Sequence, residues 1–509
     1  MDGERKGRAR NRAPSGPARA VDYWNLQNPF PMQPVFSEDE IASMHETALR
    51  VLEELGLRVL NAEARALFGA AGAIVDEDSE MVRIGREIIE QALVTAPRSI
   101  TLKGGAPHRD LIFAPGRLTF QSGASAPHAT DLERGRRPAG IRDFRELVQL
   151  TQAFDVMHAV QTLVEPQDIP PHLRHYAMTE AELTLTDKVP GVFARGKGQT
   201  SDIFEMIRIV RGLSEEDFIR DPYCLTVINS NSPRQLDVTM SQGVMDFARA
   251  GQVVVATPFT LMGAMAPITV AGSITLSHAE ALSIIALNQL ARSGAPVLYG
   301  TFTSNVFMKS GSPALGTPEQ FKATLAAGQL ARLIGMPWRC ATGSAANIND
   351  AQAAHETQFA LWASVLAGAT MVLHSTGWLE SGLSVSYEKF ITDIEMLQMV
   401  AELCGPTPAT ADEIGFDAIA EVAPGGHFFA TTQTLERYRT AFYEPVVADW
   451  SNFGSWTEHG ARDANERATD IWKEIVARDW RAPVGEDRLE QLDDFITRRK
   501  RDGGASPTG

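Results

Sequence analysis

Four helical segments in the second half of this chain end on a glycine and run directly into a short apolar stretch. They are Phe247 to Gly251 before VVVATPFTLMG, Leu290 to Gly294 before APVLYGTFTS, Leu330 to Gly335 before MPWRCATGSAA, and Val365 to Gly368 before ATMVLHSTGW. Glycine at a helix end accepts the left-handed backbone that lets the chain turn sharply into a strand. These glycines stand 43, 41 and 33 residues apart, the length of one strand plus its crossover helix. Four further strands are predicted upstream: LTFQSGA from Leu118, MHAVQTLVE from Met157, VPGVFARG from Val189 and YCLTVINSNSP from Tyr223. Eight strands alternating with eight helices predict an α/β protein built on a closed (β/α)8 TIM barrel, with its chemistry at the C-terminal ends of the strands.

The barrel is expected over 113–405, longer than the roughly 250 residues of a plain barrel once its flanking parts are added. Ser37 and Glu40, with Phe36 before and Ile41 after, combine a capping box with a hydrophobic staple and open a helix running to about Leu55. That helix begins an N-terminal α/β cap over 36–112. Gly405, Pro406 and Pro408 mark the end of the last barrel helix. A partly helical C-terminal extension over 406–500 follows. Residues 1–35 are expected as a disordered basic tail, since the first twenty are rich in Arg, Gly, Ala and Pro without an apolar core. Residues 501–509 are expected to fray.

Composition narrows the function. A net charge of −16 argues against nucleic acid as a partner, which requires a basic face to displace counterions. No uninterrupted apolar run of ~18 residues is present, so no membrane span is predicted. The three cysteines, Cys224, Cys340 and Cys404, have no paired spacing and suit a reducing, cytoplasmic setting. Phosphate-loop, dinucleotide-binding and nucleophile-elbow motifs are missing. His45-Glu46 and His355-Glu356 lack the second histidine of a zinc-protease helix, and no metal site is predicted. Asp155 and His158 have an aspartate–histidine spacing near that of corrinoid-binding domains, but one residue too long and without the following glycine. His158 therefore reads as a barrel-strand residue.

The strand ends supply the site candidates: Gln121 and Ser122, Glu165, Arg195, Asn229 and Asn231, Met262, Thr301 and Ser304, Ser344 and Asn347, then His374, Ser375 and Trp378. Side chains alternate along a strand, so about half of these point into the mouth. Glu165 closes an apolar run and is costly to bury without a cation or a proton. Trp378 and Glu380, with Phe259 and Phe302, could form a ring face plus carboxylate for a positive ligand.

Longer strings carry a family resemblance. Leu261 to Glu280 (LMGAMAPITVAGSITLSHAE), Gly294 to Gly300, Ala341 to Ala345, Asp350 to Glu356 (DAQAAHE), Gly377 to Glu380, Tyr387 to Lys389 and Gly426 to Phe428 resemble the trimethylamine methyltransferase family. The similarity runs from about Phe36 to about Ala477. It implies a (β/α)8 barrel that passes a methyl group from a methylated amine to the cobalt of a separate, small corrinoid protein. In the archaeal trimethylamine enzymes of that family, the residue after the matching Gly-Ser pair is pyrrolysine. Here Gly343 and Ser344 are followed by Ala345. The chain therefore resembles the pyrrolysine-free branch, whose members act on quaternary amines such as glycine betaine.

What the resemblance implies is a methyltransferase for a betaine-type quaternary amine, with corrinoid (cobalamin) brought by the partner and none tightly bound to this chain. A quaternary ammonium leaves as a neutral amine, so neither a general acid nor an electrophilic adduct is required. A tertiary methylamine, a methylated sulfonium, or a barrel that binds betaines without turning them over are the alternatives, and homo-oligomerisation is compatible with all of them. Gln121, Glu165, Asn229, Asn231, Met262, Ser344, Ala345, Asn347 and His374 are expected to line the donor site, with Trp378 and Glu380 as a cationic wall. For a betaine carboxylate, Arg195 at the end of the third strand is the preferred clamp. Arg234 and Arg339 are the other candidates, and Arg339 is expected to point toward the bottom of the barrel.

Overall fold

The computed structural model describes residues 22–507 except 124, 194 and 479. Eight parallel strands form one sheet: β1 (Thr119–Phe120), β2 (Ala159–Gln161), β3 (Val189–Gly191), β4 (Leu225–Ile228), β5 (Val253–Ala256), β6 (Val297–Gly300), β7 (Trp338–Ala341) and β8 (Met371–Leu373). Neighbours in the sheet follow chain order from β2 to β8, and β8 pairs with β1. A bridge between Gln121 and Ala159 joins β1 to β2 and closes the barrel. The helices that cross back are α1 (Ile141–Ala153), α2 (Pro171–Thr184), α3 (Gly196–Arg211), α4 (Val238–Arg249), α5 (Val270–Ala291), α6 (Pro318–Leu333), α7 (Ala351–Leu366) and α8 (Tyr387–Cys404). Gly251, Gly294, Gly335 and Gly368 have φ of 70°, 77°, 65° and 76°, the left-handed turn expected between helix and strand.

The interior is filled by side chains from six of the eight strands, among them Ala159, Val189, Leu225, Val253, Val255, Leu298, Met371 and Leu373. A hairpin of Ile100–Leu102 and Leu111–Phe113 joins this cluster. Helix α5 is long and apolar enough to cross a membrane, yet 78% of its most apolar window is buried within the fold, as befits a core helix.

The helix expected to open at Ser37 is present. Ser37 and Glu40 make a reciprocal capping box at the start of the helix Glu38–Arg50, which continues as a π turn over Val51–Leu55. The basic tail falls mostly on residues 1–21, outside the described part. Its last third does not follow the expectation: Leu26 is buried, Asn28 donates to Gly116 O at 2.9 Å, and Gln33 donates to Leu366 O at 2.9 Å. Trp24 Nε1 donates to Asp110 O at 3.1 Å. Apolar residues that sequence reading left in a polar tail thus pack against the barrel. The C-terminal extension is helical in pieces, and its last helix, Glu486–Arg501, is tied to α3 by a two-point contact of Arg499 with Asp202 at 2.9 and 3.1 Å. Fraying is not seen over 501–507, because Ala505 is buried and accepts from Gln199 at 2.9 Å. Residues 508 and 509 lie outside the described part.

Two fully buried histidines hold layers together. His278 on α5 bonds to Tyr299 of β6 at 3.0 Å and to His45 of the cap at 2.9 Å. His158, the residue before β2, accepts through Nδ1 from the Phe120 amide at 3.0 Å, a structural role. Burial pushes His158 down to about 4 and His278 to about 3, so both are neutral inside the fold at pH 7. In the unfolded chain each takes up a proton near pH ~6.5. The unfolded state then binds more protons below that value, and stability falls as pH drops toward the folded values, by at most about 1.4 kcal/mol per pH unit for each histidine. Urea unfolding should accordingly show a lower midpoint at pH 5 than at pH 7. A level midpoint would mean that these histidines are already charged in the folded protein.

Candidate active site

Above the barrel the βα loops are not free coil. Following β5, Phe259–Met262 forms a second short strand parallel to Phe302–Phe307, which follows β6 and pairs in turn with Ser312–Ala314. Trp378–Leu379, after β8, pairs antiparallel with Ser384–Ser386, which pairs in turn with His128–Thr130 from the loop after β1. Between these two small sheets a cavity of about 380 Å³ opens at the C-terminal ends of the strands. It lies near the lower end of the ~300–1,000 Å³ range of small-molecule sites.

One side of the cavity is aromatic. Phe259 and Phe302 are register partners, which sets their ring centroids 4.8 Å apart. Phe302 lies 5.9 Å from Trp378 and 5.6 Å from His374. Trp378 and His374 stack at 3.8 Å with 5° between planes. The indole fits because Gly123, Gly343 and Gly382 surround it, and a Cβ at any of the three would collide with the ring. His374 holds this place with φ of 62°, an uncommon backbone for a residue other than glycine.

The other notable group is Arg339. Its stem leaves β7 inside the barrel, yet the guanidinium reaches the mouth, where Nη1 donates to Thr301 O at 3.2 Å and Nη2 to His374 Nε2 at 3.1 Å. The expectation that Arg339 points to the barrel bottom is thus corrected: a side chain this long climbs past a strand residue's own level. Arg339 is 1% exposed, and among the described residues no carboxylate pairs with it. Burial pushes its guanidinium down to about 10, still charged at neutral pH. Because Arg339 can only donate, His374 Nε2 must accept, so the imidazole proton sits on Nδ1. Burial, with the Arg339 charge second, holds His374 well below the usual histidine range and therefore neutral.

The predicted site residues divide sharply. Arg195, Asn229, His374 and Trp378 line the cavity, with Phe259 and Phe302. Gln121 lies one layer away and accepts from Gln161, a lining residue, at 2.5 Å. Glu165 is ion-paired with both Arg174 and Arg195, so the preferred clamp is already matched by a carboxylate. Glu380, expected beside Trp378 as a cationic wall, turns to Arg136 in two contacts of 2.8 and 3.0 Å and stands outside the lining. Arg234 bonds Gly56 O, and its amide donates to buried Glu280. Asn231 is exposed and bonded to Asp237, and Asn347 is exposed. Met262 and Ser304 sit in the second strands above the barrel, because the runs read as single strands break at Pro258 and Thr301. Of the other strand-end candidates, the Ser122 hydroxyl is buried without a partner, the Thr301 carbonyl accepts from Arg339, and Ser375 donates to Val372 O at 2.7 Å.

Ser344 and Ala345 lie behind the cavity wall. Glu356 Oε2 gathers the Ser344 hydroxyl at 2.6 Å and the Ala345 and Ala346 amides at 2.8 and 3.2 Å. This loop in turn accepts the amides of Glu380 and Ser381, the latter a lining residue. Sequence reasoning missed Gln161, Phe193, Thr257 and Ser381 to Leu383 as lining residues. Among the described residues no carboxylate lines the cavity, and no group of three or more His, Cys, Asp or Glu converges as a metal site.

Barrel, aromatic wall and buried guanidinium together enclose a cavity of small-molecule size at the C-terminal ends of the strands. The chain belongs to the trimethylamine methyltransferase family, whose profile matches residues 4–504. It is 32% identical over 479 residues to a glycine betaine methyltransferase of Desulfitobacterium hafniense, covering 93% of this chain and 99% of that protein. A trimethylamine methyltransferase of the same species is 31% identical, covering 85% of this chain and 87% of the relative. One from Methanosarcina mazei is 27% identical, covering 95% and 98%. The crystal structure of the Methanosarcina barkeri monomethylamine methyltransferase matches with a TM-score of 0.46 at 10% identity, covering 92% of this chain and 93% of that one.

Glu356→Ala removes an acceptor shared by three donors behind the mouth. It should lower stability by about 1.5–3 kcal/mol, the worth of charge-assisted hydrogen bonds to a carboxylate. Glu356→Gln, which retains an acceptor oxygen, should cost less. Equal urea midpoints for the Ala variant and the wild type would show that the loop does not depend on this carboxylate.

Proposed function

We propose that this protein takes a methyl group from a betaine-type quaternary amine held in the barrel mouth and delivers it to the corrinoid of a separate protein. The observation that carries the reading is a cavity with an aromatic wall and no carboxylate or metal cluster among its described lining residues. Phe302, Phe259 and Trp378 present ring faces or edges to a methylated ammonium, an attraction of about 1–2 kcal/mol per well-placed ring. The corrinoid, as acceptor, supplies the nucleophile. The chain's own work is to hold one N–CH3 bond toward the open mouth, to keep water away from the donor, and to stabilise the cation without trapping it. No side chain is asked to donate a proton, because the leaving group departs as a neutral amine. The family membership and the glycine betaine methyltransferase among its relatives support the same donor class. Three free cysteines and no disulfide accord with work in a reducing cytoplasm.

The test is direct. The purified chain, expected to carry neither corrinoid nor stoichiometric metal, is mixed with reduced cobalamin and glycine betaine, and the methylated corrinoid is followed by its absorbance. Formation of methylated corrinoid with glycine betaine, faster than with trimethylamine, is the expected result. Absence of transfer from every methylated amine or sulfonium offered would defeat the reading. Phe302→Leu keeps the bulk but removes the π face, and should weaken donor binding about 5- to 30-fold.

A further inference from the structure

We propose that the Arg339 guanidinium, held in place by His374, anchors the carboxylate of a zwitterionic donor, and that the same charge rejects donors bearing only an ammonium. This inference rests on the reading that the donor is a methylated ammonium compound. Its own support is electrostatic and geometric.

Charged side chains around the mouth find opposite charges: Arg195 and Arg174 share Glu165, and Arg136 holds Glu380. Arg339 does not. It is buried in the cavity wall, its protein partners are a carbonyl, a neutral imidazole and one face of the Phe302 ring, and its Nε has no hydrogen-bond partner. A buried guanidinium without a counter-ion is a site for an anion, and its planar fork matches a carboxylate. The guanidinium carbon lies 5.6 Å from the Phe302 ring centre, so the anion site and the aromatic wall are within the span of one small molecule. A betaine carries its carboxylate one carbon from the nitrogen and meets both. A choline or tetramethylammonium ion instead faces an uncompensated positive charge, because among the described residues no carboxylate lines the cavity. His374 is the positioning residue. Stacked on Trp378 and fixed with φ of 62°, it accepts from Arg339 through Nε2 and leaves Nδ1–H without a protein partner as a further donor in the wall.

The test is equilibrium binding by calorimetry, in the full chain without corrinoid, to glycine betaine, choline and tetramethylammonium. The wild type should bind glycine betaine about 10- to 100-fold more tightly than either cation, the range for a charge-assisted pair. This comparison needs no variant. Arg339→Gln should lose that preference, by weakening glycine betaine and not tetramethylammonium. Arg195→Gln should keep it, since Glu165 already matches that arginine. Equal wild-type affinity for all three compounds overturns the proposal, as does preference lost in Arg195→Gln and kept in Arg339→Gln. Methyl transfer is scored separately. Equal kcat/KM for glycine betaine and tetramethylammonium overturns the anchor and leaves the methyl-transfer reading intact. Selective binding of the zwitterion without any transfer supports the anchor and overturns that reading. No binding of any of the three overturns both.

Discussion

A charge inside the barrel without a counter-charge is the constraint around which the mouth is arranged. Moving a guanidinium from water into protein costs several kcal/mol even after relaxation, unless hydrogen bonds and an opposite charge offset it. Arg339 has the hydrogen bonds, which it donates to Thr301 O and His374 Nε2, but not the opposite charge. Those bonds require His374 to be neutral and to present Nε2, which explains why burial of the imidazole, its stack on Trp378 and its left-handed backbone occur together. The glycines at 123, 343 and 382 then follow, because the indole that supports the imidazole leaves no room for a side chain.

Rim charges behave differently for a physical reason. Arg195 and Glu380 lie where loops bring several long polar side chains into reach of one another, and each is neutralised locally by Glu165 or Arg136. Such pairs, partly in water, contribute little to affinity for a ligand and mainly fix the loops. Only a charge rooted in the barrel interior, where neighbouring positions are apolar strand residues, is kept from a partner. Depth in the barrel decides which arginine stays free to meet an anion.

Much of the fold was legible because it repeats. Strand and helix alternate eight times, four of the turns marked by a glycine, and closure of such a set into a barrel leaves few alternatives. The site was legible in part. His374, Trp378, Phe259 and Phe302 follow from their place just beyond strands. Asn231, Asn347 and Met262 follow the same rule and lie elsewhere, since the chain beyond β4, β5 and β7 turns away or forms new strands that no periodicity announces. Arg339 was misjudged by counting from the start of its strand. The informative signal was its surroundings: an arginine inside the run MPWRCA is as costly to bury as Glu165 after TLV, and the same reasoning applied to both.

The mouth has no carboxylate among its described lining residues, and Arg339, without a counter-ion, lies beside the aromatic wall. For a ligand that is only a cation this is a poor arrangement, since the repulsion of the guanidinium opposes the attraction of the rings. For a zwitterion the two effects add: the carboxylate cancels the buried charge, and the ammonium is then left against the rings without repulsion. A wall of rings without acid also suits a donor that must leave again as a neutral amine. A carboxylate beside the nitrogen would stabilise the charged ground state and lose that attraction as the charge disappears, which raises the barrier. In the proposed binding mode, rings hold the cation more weakly, and the stronger contact is moved to the end of the molecule whose charge the reaction does not change.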